Sequence, residues 1–129
     1  MPVILVVDDN QQMAGLIQEM VELAGFETEV AYSGLDGLDK AREGMPDLIL
    51  VDLMMPDIDG WQVYQELREF SSIPVIFVTA YDTPRNKAKA LQIGADGYIS
   101  KDRAPFNLVQ QIQFILEEAD KSPENQYLH

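Results

Sequence analysis

Three short runs of the chain are apolar at every position: Val3-Ile4-Leu5-Val6-Val7, Leu48-Ile49-Leu50-Val51 and Val75-Ile76-Phe77-Val78. Each is too short for a buried helix, lacks the polar alternation of a half-exposed strand, and is rich in β-branched residues. Such runs form strands covered on both faces, and a sheet covered on both faces is built from parallel strands with helical crossovers. All three are followed at once by a group able to do chemistry: Asp8 and Asp9, Asp52, and Thr79. In open parallel sheets, ligands and reactions gather at the C-terminal ends of the strands.

The segments between the runs supply the crossovers. The first strand reads as 3–8, followed by Met13, Leu16, Ile17, Met20 and Leu23 at helical spacing, with Gly25 as the stop. Residues 27–31 form a second strand, and the alternation of Glu27 and Glu29 with Thr28 and Val30 puts it at an edge. A helix covers about 35–43 and ends at Gly44. The third strand is 48–52, and Gly60 opens a helix with Val63, Leu67 and Phe70 on one face. Pro74 precedes the fourth strand. Thr83-Pro84 is a cap followed by proline, and it starts the least amphipathic helix, which ends near Gly94. Tyr98-Ile99-Ser100 is a short fifth strand before Lys101, and Leu108, Ile112, Ile115, Leu116 and Ala119 stripe the last helix. Five strand–helix units specify an α/β, flavodoxin-like (βα)5 three-layer sandwich. Its parallel sheet has the order 2-1-3-4-5, and the order switches direction between the strands that carry Asp8, Asp9 and Asp52. Residues 1–120 form one domain, and 121–129 read as a flexible tail or the start of a linker.

Composition narrows the function. The formal net charge of −13 opposes direct binding of nucleic acid and of anionic membranes. Arg85, Lys87, Lys89, Lys101 and Arg103 are nevertheless concentrated between residues 85 and 103. No apolar stretch is long enough to span a bilayer, and nothing marks a signal peptide. The absence of cysteine excludes disulfides and thiolate metal sites and fits the cytoplasm. The one histidine, His129, is terminal, so the chain offers no histidine base or phosphoacceptor of its own.

Three carboxylates brought to one sheet edge repel one another unless a cation sits among them, and oxygen ligands suit a hard divalent ion such as Mg²⁺. The hydroxyl of Thr79 and the ammonium of Lys101, from the neighbouring strand ends, suit a phosphoryl group. A central carboxylate is then a nucleophile, and its product is an aspartyl phosphate.

With these residues in this order, the chain closely resembles the receiver domain of two-component response regulators, from about residue 3 to residue 119. The blocks that carry the resemblance are Val7-Asp8-Asp9-Asn10, Leu50-Val51-Asp52-Leu53-Met54-Met55-Pro56-Asp57-Ile58-Asp59-Gly60, Pro74-Val75-Ile76-Phe77-Val78-Thr79-Ala80 and Gly94-Ala95-Asp96-Gly97-Tyr98-Ile99-Ser100-Lys101. The resemblance implies that Asp52 accepts phosphate from a phosphohistidine of a sensor histidine kinase or phosphotransfer protein. It implies that Asp9, Asp52 and the backbone carbonyl of Met54 ligate Mg²⁺, with Asp8 acting through water. Thr79 and Lys101 would bind the phosphoryl oxygens, and Tyr98 would be the switch aromatic that follows Thr79. Met54 and Tyr81 flank the site; both are bulky and neither activates water, so slow self-dephosphorylation is expected.

The resemblance also implies a phosphorelay signalling protein, not an enzyme, whose fourth helix, fifth strand and fifth helix form the responsive face and a possible homodimer surface. One departure concerns Asp102, which stands where the family usually has a proline with a cis bond. A cis bond before a non-proline costs about 3 kcal/mol, so the expectation is either a trans bond with a rearranged loop or a strained cis bond.

Three rival functions fit the sequence less well or ask less of it. A phosphatase with an aspartyl-phosphate intermediate commonly needs an acid where Met54 stands. A flavin carrier needs a phosphate loop where the chain has Asp8-Asp9-Asn10-Gln11-Gln12. A degenerate receiver acting as a phosphorylation-independent docking scaffold needs no site at all. Asp57 and Asp59 read as loop and turn residues, and Trp61 as a partly covered residue at a helix start. Phe114 lies off the apolar stripe, either packed under a neighbouring helix or marking a contact surface. The sequence leaves open a stand-alone receiver or a piece of a longer regulator.

Overall fold

The computed structural model describes residues 1–120; the expected tail at 121–129 lies outside them. Five strands, β1 (Val3–Val7), β2 (Glu27–Ala31), β3 (Leu48–Val51), β4 (Val75–Thr79) and β5 (Gly97–Ser100), pair in parallel in the order β2-β1-β3-β4-β5. Five helices connect and follow them: α1 (Gln11–Leu23), α2 (Gly34–Gly44), α3 (Gly60–Phe70), α4 (Pro84–Ile93) and α5 (Ala104–Asp120). The flavodoxin-like order and the three layers are those the sequence specifies. β2 takes an edge, and its outer residues alternate between exposed and half-buried.

The alternation of side chains along each strand divides the core in two. Leu5, Val7, Ile49, Val51, Val75 and Phe77 point to the face covered by α2, α3 and α4, where they meet Leu38, Ala41, Val63, Leu67 and Ala90. Ile4, Val6, Leu48, Leu50, Ile76 and Val78 point to the face covered by α1 and α5, against Ala14, Ile17, Val21, Ala104, Leu108 and Ile112. Each fully buried aliphatic side chain contributes about 1.5–3 kcal/mol, so the three central strands, buried along nearly their whole length, contribute heavily to stability.

The helix starts are capped as their sequences suggest. Asn10, Ser33, Asp59 and Thr83 accept hydrogen bonds from the N–H groups of Met13, Asp36, Gln62 and Asn86. α2 ends at Gly44, as its sequence indicates, and Met45 beyond it takes the left-handed turn (φ 43°). After β5 the chain makes a 3₁₀ turn, Lys101–Arg103, before α5. All peptide bonds among the described residues are trans, Lys101–Asp102 included; the 3₁₀ turn is the rearranged loop that replaces the proline geometry.

Candidate functional site

Register delivers the acids to one place. Val7 pairs with Val51, and Val51 with Phe77. Asp8 and Asp52, one residue beyond that level, leave adjacent strands side by side and are tied there by Asp8 N–H to Ala31 O (3.0 Å) and Asp52 N–H to Val7 O (3.0 Å). One carboxylate oxygen from each of Asp8, Asp9 and Asp52 falls within a single 4.8 Å cluster. Asp8 and Asp52 are buried, while Asp9 is exposed at the rim.

Lys101 reaches across from the far side of the sheet. Its Nζ lies 2.9 Å from Asp8 Oδ2 and 3.2 Å from Asp52 Oδ2. The approach to Asp52 is a hydrogen bond; the approach to Asp8 is an ion pair in poor hydrogen-bonding alignment, which leaves Asp8 Oδ2 buried without a well-directed donor. Asp8 Oδ1 accepts from Asn10 N–H at 2.9 Å. Asp52 Oδ1 is held loosely, by Met54 N–H at 3.4 Å.

Burial and the neighbouring Asp8 charge push the Asp52 carboxyl up to about 6, against the pull of Lys101 and the Met54 N–H. Desolvation works against the charge on Lys101, but the close carboxylates of Asp8 and Asp52 outweigh it, and its ammonium is raised. A raised aspartate beside an under-satisfied buried carboxylate oxygen is an acid cluster with too little positive charge. One lysine does not neutralise three carboxylates, and the donor set of hard oxygens fits a divalent cation.

Thr79 ends β4 opposite Ser100 of β5 and is fully buried. Its Oγ1 accepts from Tyr81 N–H at 2.9 Å. The carbonyl of Tyr81 accepts in turn from Asn86 Nδ2 (2.8 Å) and from the Tyr98 hydroxyl (3.4 Å). The Tyr81 peptide thus joins Thr79 to the half-buried ring of Tyr98, a link no side-chain pattern reveals. The Tyr98 hydroxyl is raised by burial and by the adjoining Asp82 carboxylate. Met54 and Tyr81, expected to flank the site, stand on its two loops with their side chains about half exposed.

The basic residues between 85 and 103 do not form one patch. Lys101 turns inward to the acids, Lys89 stacks on Trp61, and Lys87 and Arg103 line a groove of about 340 Å³ with Asp82, Tyr98 and Asn107. Trp61 packs on Phe77 at 4.8 Å between ring centres. Phe114 is exposed, which leaves the contact-surface alternative. Asp57, given no part by the sequence, is tied to α2 by two hydrogen bonds.

This geometry has known counterparts. Residues 4–113 match the family model of the response regulator receiver domain. The chain belongs to the response regulator receiver family. It is 38% identical over 117 residues to the transcriptional regulatory protein PcoR of Escherichia coli, covering 90% of this chain and 52% of PcoR. It is 33% identical over 127 residues to the DNA-binding dual master transcriptional regulator RpaA of Synechocystis, covering 96% of this chain and 53% of RpaA. The chain thus spans about half the length of these curated relatives.

Among solved structures, the CheY-like receiver domain protein of Methanospirillum hungatei superposes with a TM-score of 0.86 at 30% identity, covering 94% of this chain and 98% of that one. The BeF3-activated N-terminal receiver domain of Klebsiella pneumoniae RstA gives 0.83 at 27% identity, covering 88% and 97%. Two-component signalling is therefore the setting of this receiver domain. Among the described residues no helix is long and apolar enough to cross a membrane.

Proposed function

We propose that this receiver accepts a phosphoryl group on Asp52 from a phosphohistidine of a sensor kinase or phosphotransfer protein, in a Mg²⁺-dependent reaction. The observation that carries the proposal is the meeting of Asp8, Asp9 and Asp52 within one 4.8 Å cluster with Lys101 Nζ on Asp8 and Asp52. Asp9, Asp52 and the Met54 carbonyl would hold the cation, with Asp8 beside it. Bound there, Mg²⁺ would offset the acidic cluster and the charge of the incoming phosphoryl oxygens.

The chemistry left to the protein is positioning. An Asp52 oxygen forms the new P–O bond as the donor's P–N bond breaks, and the imidazole leaves with the electron pair and takes a proton. Lys101, already against Asp52, moves its ammonium from carboxylate to phosphoryl oxygen. Thr79 gives up its bond with Tyr81 N–H to turn its hydroxyl toward the same group. That exchange releases the Tyr81 peptide and, with it, the tether on Tyr98. The face of α4, β5 and α5 then favours a second arrangement, a population shift that needs roughly 5 kcal/mol to run from mostly off to mostly on.

On this reading the chain is a phosphoacceptor that signals through its state, not an enzyme with a separate substrate, and it works in the cytoplasm. Leu91 on α4 and Phe106 and Phe114 on α5 are exposed large apolar residues, which supports that face as a homodimer surface. Met54 and Tyr81 at the rim favour a long-lived phosphate.

Incubation with Mg²⁺ and acetyl phosphate, followed by intact mass, tests the proposal. A gain of one phosphoryl group that requires Mg²⁺ and disappears in Asp52→Asn is expected. No gain in the unaltered chain would favour a docking scaffold that works without phosphorylation.

A further inference from the structure

Asp57 lies in the loop between β3 and α3, yet it completes the start of a different helix. Its Oδ1 accepts from Gly34 N–H at 3.1 Å and its Oδ2 from Leu35 N–H at 2.8 Å. These are the first two residues of α2, and Ser33 Oγ takes the third N–H, from Asp36, at 3.1 Å. The opening amides of a helix lack partners within it, and a carboxylate there is favoured by the helix dipole. Desolvation raises the Asp57 carboxyl, but the surrounding backbone N–H groups of Leu35, Ile58 and Gly34 prevail and hold it below the usual range. It is an anionic tether across 22 residues.

Two glycines show how closely the tethered parts fit. A Cβ on Gly34 would stand 2.5 Å from Ile58 Cγ1 and 3.0 Å from Ile58 O, so α2 begins directly against this loop. A Cβ on Gly60 would stand 2.4 Å from Asp52 O, and Gly60 N–H donates to Leu53 O at 2.9 Å. The loop is closed at its base by Gly60 and fastened on its outer side by Asp57. Met54 lies between the two fastenings.

We propose that Asp57 is a positioning residue for the metal side of the site: by fastening the β3–α3 loop to α2, it holds the Met54 carbonyl where a divalent cation can use it. The inference rests on the proposed Mg²⁺ site. Groups that orient the ligands of a metal, without touching it, commonly govern affinity by 10–100-fold. A carbonyl on a loosened loop must be ordered at the moment of binding.

Calorimetric titration with Mg²⁺ of the full chain, Asp57→Ala, Asp57→Asn and Ser33→Ala tests it, together with amide hydrogen exchange of residues 53–58 in chelator. Asp57→Ala is expected to weaken Mg²⁺ binding about tenfold and to speed exchange at Met54 and Met55. Asp57→Asn keeps one acceptor oxygen and is expected to fall between; it also serves if the alanine variant fails to fold. Ser33→Ala loses a cap on the same helix but not the tether. It should lower the melting temperature yet leave Mg²⁺ affinity and loop exchange unchanged. Unaltered affinity and exchange in Asp57→Ala, or equal losses in Ser33→Ala, would overturn the proposal. If the unaltered chain binds no Mg²⁺, the metal reading fails, the role proposed for Asp57 falls with it, and the exchange data show whether a tether exists for some other purpose.

Discussion

The loop after β3 and the loop after β4 leave the same sheet edge, but their surroundings have little in common. The β3 loop is closed by Gly60 on Asp52 O, packed by Gly34 on Ile58 and fastened by Asp57 to α2. The β4 loop runs through Tyr81, Asp82 and Thr83, all exposed, into α4, whose one buried residue is Ala90. Its main internal fastenings, Tyr81 N–H to Thr79 Oγ1 and Asn86 Nδ2 to Tyr81 O, are single hydrogen bonds, the first half-buried and the second exposed, worth about 1 kcal/mol each. The half of the site that gathers the acids is therefore preorganised. The half that would answer a phosphoryl group is held weakly enough for a few new bonds to rearrange it. A site built this way binds on one side and moves on the other.

The largest test of that contrast is Gly60→Ala. The added methyl would meet backbone atoms at 2.4 Å (Asp52 O) and 2.9 Å (Leu53 Cα), and backbone in a packed loop gives way poorly. A loss of about 3 kcal/mol in denaturant unfolding is expected, with Mg²⁺ binding impaired as well. An unfolding curve within error of the unaltered chain would mean that the β3 loop is no firmer than its neighbour.

A middle-sized effect should come from the acids themselves. The Asp52 carboxyl has an ordinary value of 3.8 and a folded value of about 6. The folded chain holds this proton more tightly than the unfolded one, so ionisation costs stability. The cost is absent below the ordinary value, grows between the two, and is complete above about 6. A shift of that size corresponds to about 3 kcal/mol undamped, and water at the sheet edge reduces it to about 1–2 kcal/mol. In chelator at neutral pH, Asp52→Asn should therefore melt about 5 °C higher. In acid below the ordinary carboxylate range the advantage should vanish. A variant less stable at neutral pH would show that the Lys101 pairing outweighs burial and the Asp8 repulsion.

The fixed half was also the half legible in the sequence. Apolar runs with no polar interruption demand central strands, and their ends place Asp8, Asp52 and Thr79 without reference to any contact. The parallel order follows from crossover length and handedness. What stayed hidden depends on backbone groups and long-range fit. Asp57 looks like any loop aspartate because its partners are main-chain amides of Gly34 and Leu35. The Tyr81 peptide, which joins Thr79 to Tyr98, carries no side-chain signature at all. The sequence allows two geometries at Lys101–Arg103 because a missing proline says which geometry is lost, not which replaces it. The stop of α2 at Gly44 was legible, but the left-handed turn that follows falls on Met45, whose residue type does not announce it.

The smallest test probes the loose half directly. Lys89 of α4 lies 4.6 Å above the Trp61 ring of α3. The same indole packs in a tilted arrangement on Phe77, with ring centres 4.8 Å apart. Exposed cation–π contacts are worth about 0.5–1 kcal/mol, a small part of global stability but a large part of what holds so sparsely buried a helix. Lys89→Gln keeps an unbranched, slightly shorter side chain and removes the cation. Global unfolding should barely change. Amide exchange within α4 should accelerate about twofold, as a local loss of about 0.5 kcal/mol requires, and Trp61 emission should shift toward that of a wetter indole. Exchange in α3, fixed through Val63, Tyr64 and Leu67 in the core, should not respond. If α3 and α4 accelerate together, the two helices open as one unit, and the division between a firm and a yielding half of the molecule would have to be redrawn between α3 and the sheet.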